Sequence, residues 1–122
     1  MRLGKFGPGI YNFNKAVEQN PDSIVNLNRL AWALVTVEDA SLRDANKAIE
    51  AAGRACELTG NKDAEYLDTL AVTYAAAGRF EEAKETAKKA LSIAKSSGRA
   101  DLAGEIQERI KLYEAGKPYR QK

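Results

Sequence analysis

Histidine does not occur in this sequence, which removes the commonest general base, the commonest metal ligand and every Ser-His or Cys-His nucleophile arrangement. Cysteine occurs once, at Cys56, so no internal disulfide can form and a reducing compartment suits the chain. Proline is confined to Pro8, Pro21 and Pro118, which leaves long stretches without a helix breaker. Neither sign of charge dominates: 19 Lys and Arg against 17 Asp and Glu leave +2, too little to imply a nucleic-acid or anionic-membrane partner. No stretch reaches the roughly 20 apolar residues of a membrane span. Met1 to Lys5 is not followed by the apolar core of a secretory signal, so a cytoplasmic location is expected. With no Gly-rich phosphate loop, metal cluster or third group beside a carboxylate pair, no cofactor and no enzymatic activity are expected.

What the sequence does have is an internal repeat. Leu27, Leu30, Ala31 and Leu34 share their spacing with Leu67, Leu70, Ala71 and Tyr74, at an offset of 40 residues. Ala48, Ala52, Ala55 and Leu58 share theirs with Ala83, Ala87, Ala90 and Ile93, at an offset of 35. Spacings of three and four are helical, and small residues at the repeated points let helix backbones approach closely, so each unit reads as a pair of helices. The difference between the offsets falls between Val35 and Asp44, as a longer turn. A partial copy opens the chain, with Gly4, Phe6, Phe13, Ala16, Val17 and Pro21 corresponding to Gly78, Phe80, Ala87, Ala90, Leu91 and Lys95.

Local signals agree with this register. Asn20-Pro21-Asp22-Ser23 supplies a stop and an N-cap, Ser41 is placed to cap a helix, and Gly60-Asn61 and Gly78 are C-terminal breakers. The spacing predicts helices near 9–19, 23–36, 42–58, 63–77, 80–95 and 99–115. In the last of these Leu102, Ile106, Ile110 and Tyr113 share one face and charges the other, as the covering helix of a repeat stack requires.

The unit from Ala64 to Leu91 resembles a tetratricopeptide repeat. Leu67, Leu70, Ala71 and Tyr74 fill the places that mark its first helix, Gly78 its turn, and Phe80, Ala83, Ala87 and Ala90 its second helix. Ala71 stands for the common Gly, Ala87 for the common aromatic and Lys95 for the common closing Pro. The resemblance covers about residues 4 to 97 and implies an all-α fold, a right-handed superhelix of antiparallel helix pairs with a C-terminal capping helix. The whole chain, 1–122, reads as one domain: a partial repeat at 1–21, a repeat with an extended inter-helix loop at 22–63, a repeat at 64–97, and a cap with a basic tail at 98–122. The closing Leu112 to Arg120 is similar to an ending of bacterial tetratricopeptide proteins and favours a bacterial origin.

The resemblance also implies a role: a protein-interaction scaffold that holds a peptide segment of a partner in a concave groove lined by the first helices. Carried onto this chain, the groove positions are Val25, Asn28, Trp32, Val35 and Thr36, then Glu65, Asp68, Val72, Ala75 and Ala76. Trp32 offers the large, stiff surface of a binding anchor, unless it packs against the extended loop or the first helix. Glu65 and Asp68, three apart on one helix face, are placed to receive a Lys or Arg from a partner, or form a solvated face. The Lys and Asn clamp by which some family members grip acidic chaperone tails is absent, since the matching places hold Asn28, Trp32, Asp68 and Val72. Chaperone tails, nucleic acid and membranes are therefore not expected partners. Cys56 and Tyr74 read as packing residues. Lys84, Lys88, Lys89 and Lys95, interleaved with Glu81, Glu82 and Glu85, read as a solvated outer face.

The alternative is a structural module that associates with itself. The partial first repeat lacks its first helix, which leaves Ile10, Phe13 and Val17 short of a covering layer. Leu3 and Phe6 fold back over them, or a second copy forms a homodimer there. Three such side chains, each worth roughly 1.5–3 kcal/mol when buried, are enough to stabilise association.

Overall fold

The computed structural model describes residues 12–36 and 44–119. Six helices appear in it: α1, helical over residues 12–19, α2 (Ile24–Thr36), α3 (Ala45–Leu58), α4 (Ala64–Ala76), α5 (Phe80–Ser96) and α6 (Ala100–Glu114). The described residues contain no strand, and none of their helices is long and apolar enough to cross a membrane. The all-α expectation holds. The helix bounds fall within one residue of those read from the spacing, except at the start of α3 and at the start of α1, which lies outside the described residues. The cap of α3 is Asp44 rather than Ser41: the Asp44 carboxylate accepts from the Lys47 backbone N–H at 3.1 Å, so the helix opens at Ala45.

The helices after α1 start for local reasons. Ser23 Oγ accepts from the Asn26 N–H at 3.4 Å at the head of α2, and Asp63 accepts from the Glu65 N–H at 2.9 Å at the head of α4. Neither α5 nor α6 has a side-chain cap, but acidic residues stand in their first turns, Glu81 and Glu82 in one and Asp101 in the other, where negative charge favours the helix dipole. Glu82 is further tied back to Arg79, whose Nη2 donates to it at 2.6 Å.

The helices from α3 to α6 stop by a shared device. After α4, the Arg79 N–H reaches the Tyr74 carbonyl at 2.9 Å and the Gly78 N–H reaches the Ala75 carbonyl at 3.0 Å, with Gly78 at φ +80. This paired bond closes the helix only if the residue between adopts a left-handed backbone, which Gly does at no steric cost. The same pair of bonds ends α6, where Gly116 N–H bonds Tyr113 and Lys117 N–H bonds Leu112. That turn sends the chain back over the molecule at Pro118 and Tyr119.

Helix pairs α2–α3, α4–α5 and then α6 stack in order, and α4 touches α2 on one side and α6 on the other. The first helices of successive units thus lie side by side and form one face. The second helices are held close by alanine. Ala48, Ala52 and Ala55 on α3, and Ala83, Ala87, Ala90 and Ala94 on α5, are all buried at spacings of three and four. Larger side chains fill the layers between: Leu27, Leu30 and Leu34 from α2, Leu67 from α4, and Ile106 and Tyr113 from α6. Phe13 and Val17 of α1 are half-buried against the α2–α3 layer. Ile10, Leu3 and Phe6 lie outside the described residues.

Candidate binding groove

The face made by α2, α4 and α6 carries a concavity of about 330 Å³ lined by Asn28 and Trp32 of α2, Glu65, Asp68 and Thr69 of α4, and Leu102, Glu105 and Arg109 of α6. Each helix contributes residues three or four apart, the spacing that puts side chains on one face. A second, more open concavity of about 500 Å³ shares Glu65, Leu102 and Glu105 and extends over Arg99 and Asp101 at the head of α6. The rim is acidic, with Glu65, Asp101 and Glu105 exposed to solvent.

Beneath the rim lies a buried ion pair. The Arg109 Nη1 donates to Asp68 Oδ2, and both side chains are almost wholly removed from water. Burial pushes the Asp68 carboxyl up to about 6, with Arg109 pulling the other way and the like charges of Glu105 and Glu65 adding to the rise. The other atoms of this group are orphaned: Asp68 Oδ1, Arg109 Nε and the Tyr113 hydroxyl are buried without a hydrogen-bond partner. Burial also pushes the Tyr113 hydroxyl well above its ordinary value.

An aromatic layer lies over Arg109. Its guanidinium stands 5.3 Å from the centroid of Trp32 and 4.8 Å from that of Tyr119, and the two rings are 5.6 Å apart, tilted by 43°. A cation held against two rings gains roughly 0.5–2 kcal/mol from each. Trp32 therefore does face the groove, and it packs on the segment that follows α6; the extended loop lies outside the described residues.

The structure sorts the sequence-derived groove residues. Asn28, Trp32, Glu65 and Asp68 come together. Val25 is 49% exposed but does not line the concavity. Val35 and Val72 do not belong to the groove surface: they are 1% and 0% exposed and packed in the α2–α3–α4 layer, because the inward side of a first helix is turned toward its own second helix. Ala75 is buried likewise, Ala76 is half-buried, and the Thr36 side chain lies outside those described. Nor are Glu65 and Asp68 left for a partner's cation alone. Asp68 holds Arg109, and Glu65 lies 3.4 Å from Arg99.

Glu105 and Arg109, which line the concavity, and Tyr119, which packs on Trp32, do not stand out in the sequence, and Leu102 reads there only as part of the apolar face of the covering helix. The spacing of Leu102, Glu105 and Arg109 is visible, three then four residues apart, but α6 reads only as a cover and not as a third first helix. Cys56 is buried, with its thiol donating to the Tyr66 carbonyl at 3.4 Å and pushed up to about 11 by burial, as a packing residue should be. On the basic outer stretch Lys84 pairs with Glu81 at 2.9 Å.

The raised Asp68 carboxyl has a sign that can be checked. The unfolded chain releases this proton near 3.8 and the folded protein near 6, so between those values the fold binds more protons and acid favours it. The contribution is full below the lower value and lost as pH rises through the upper one, about 3 kcal/mol in all. Relative to Asp68→Asn, which does not titrate, the wild type should lose about that much stability between pH 4 and 7 in urea unfolding. A difference that stays constant with pH would refute it.

Stacked helix pairs whose first helices share a concave face define the class: this is a helical-repeat protein. Residues 64–97, which comprise α4, α5 and their connecting turn, match the family model of the tetratricopeptide repeat. No curated protein and no solved structure matches the chain. Proteins of this family serve in general as scaffolds for protein–protein interaction.

Proposed function

We propose that the chain binds an extended, basic segment of a partner protein along the concave face between α2, α4 and α6. The observation that carries this reading is the convergence of Asn28, Trp32, Glu65, Leu102 and Glu105 from three helices onto one acidic-rimmed concavity. Trp32 supplies a large, stiff contact surface, and Glu65, Asp101 and Glu105 supply the field that draws a Lys or Arg. Buried polar atoms without partners are rare in folded proteins, and Asp68, Arg109 and Tyr113 gather three of them under this one floor. Their cost is tolerated at a place where stability is not the only demand.

Selection from a random peptide library on the immobilised full chain tests this. Bound peptides should be enriched in Lys or Arg beside apolar residues. Charge reversal at Glu65→Lys with Glu105→Lys, both on exposed side chains, should weaken the selected peptides about 10-fold or more while helicity is unchanged. Peptides that bind both proteins equally would move the binding surface elsewhere.

A further inference from the structure

We infer that the basic side chain taken by this groove is a lysine with a free ammonium group, held over Asn28 and Asp68 and between Glu65 and Glu105, and that arginine and acetylated lysine are disfavoured there. This rests on the concave face being the binding surface and names the residue it selects.

Charge in the concavity does not balance. Its lining carries the carboxylates of Glu65, Asp68 and Glu105 against the guanidinium of Arg109. Glu65 is shared with Arg99 at 3.4 Å, but Glu105 is exposed and forms no ion pair among the described residues. The deficit reaches the floor, where burial and the neighbouring carboxylates outweigh Arg109 and hold the Asp68 carboxyl at about 6. A further cation brought into the concavity enters the field of these carboxylates together and offsets it.

Hydrogen bonding points the same way. Asn28 Oδ1 and Asp68 Oδ1 are buried acceptors that no donor meets among the described residues. Both residues line the concavity, Asp68 while only 4% exposed, and they stand at matching positions of successive first helices, 40 residues apart. What they lack is a donor, and an ammonium carries donors only. The lysine stem suits the approach, since its methylenes can lie along Leu102, the apolar side chain that lines the concavity from α6.

An arginine brings the same charge to less favourable surroundings. Its flat guanidinium binds best when stacked on an aromatic face or forked onto a carboxylate. Here the Trp32 ring already holds the guanidinium of Arg109 at 5.3 Å, and Asp68 Oδ2 already accepts from it. The protein's own arginine thus takes both places. Glu105 remains, but it stands in water at the rim, where a forked pair gains little. A compact point charge depends on neither surface.

The probes are the library-selected peptides, resynthesised with each basic position changed in turn and titrated onto the full chain. At one position lysine should be preferred to arginine by about 5-fold or more. Nε-acetyl-lysine there, which keeps the stem and loses the charge, should weaken binding about 10-fold or more. In a proton–nitrogen correlation spectrum the Asn28 side-chain amide should move with the lysine peptide and stay in place with the acetylated one. Peptides in which arginine serves as well as lysine at every position would overturn the inference. So would acetylation without effect, or an Asn28 amide that the lysine peptide leaves unmoved. If such peptides still lose affinity on Glu65→Lys with Glu105→Lys, the broader groove reading stands and lysine selection alone falls; if they do not, both fall.

Discussion

Replacing Arg109 with leucine is expected to lower folding stability by about 3–5 kcal/mol at neutral pH, among the largest losses any single substitution in this protein should produce. The size follows from what is left behind. Asp68 is 4% exposed and accepts from Arg109 through Oδ2, while its other oxygen has no partner. Without the guanidinium the carboxylate must either stay charged out of water or take up a proton at a pH where it ordinarily would not. Two aromatic contacts go with it, since Arg109 also lies against Trp32 and Tyr119. The penalty should shrink as pH falls, because protonation neutralises the stranded group. Removing both charges together, as Asp68→Asn with Arg109→Leu, should recover most of the loss, since the cost belongs to the unpaired ion and not to the absence of the pair. Urea unfolding of the three variants measures all of this, and a double variant no more stable than Arg109→Leu would contradict it.

Shortening Ile106 to alanine should cost about 2–5 kcal/mol by the cavity it leaves. Ile106 is fully buried in the layer shared by α4, α5 and α6. The buried cluster that holds it is made largely of alanines, which are too small to close a gap by changing rotamer. In a stacked array each unit touches only its neighbours, so the loss should not spread evenly. Hydrogen exchange should speed up first in α6 and the adjoining side of α5, with α2 and α3 changed least. The same variant should weaken groove binding, because Leu102, Glu105 and Arg109 ride on α6. Uniform loss of protection along the chain would argue against this picture.

Much of the architecture was legible because the repeat restates each rule more than once. Alanines at 83, 87 and 90 mark a close helix contact only weakly in isolation, yet the same spacing at 48, 52 and 55 makes the pattern unambiguous. Caps and breakers at Ser23, Gly60 and Gly78 added the boundaries. The groove was legible in part. Asn28, Trp32, Glu65 and Asp68 came from the groove positions that the family resemblance implies, but Val35 and Val72, carried over with them, sit where the first helices turn into the core, a rotation such a transfer does not resolve. The Arg109–Asp68 pair joins residues 41 positions apart on helices from different units, and no local pattern announces such a partner. Tyr119 was hidden for a further reason: it lies beyond the last helix, in a basic tail that composition alone marks as a solvated end.

The recurrence of one joint has a bearing on how such a molecule grows. The bond pair seen after α4 and α6 also closes α3 at Gly60 and Asn61 and α5 at Gly98 and Arg99. Because the joint is built from backbone atoms, the bend it imposes is indifferent to the side chains on either helix. A stretch copied from one joint to a later one would bring its own bend with it and fit the stack without redesign. Duplication is thereby made structurally cheap in the interior of the array. After α6 the same joint is followed by a segment whose Tyr119 lies on Trp32, so a unit stacked there would first have to displace that contact.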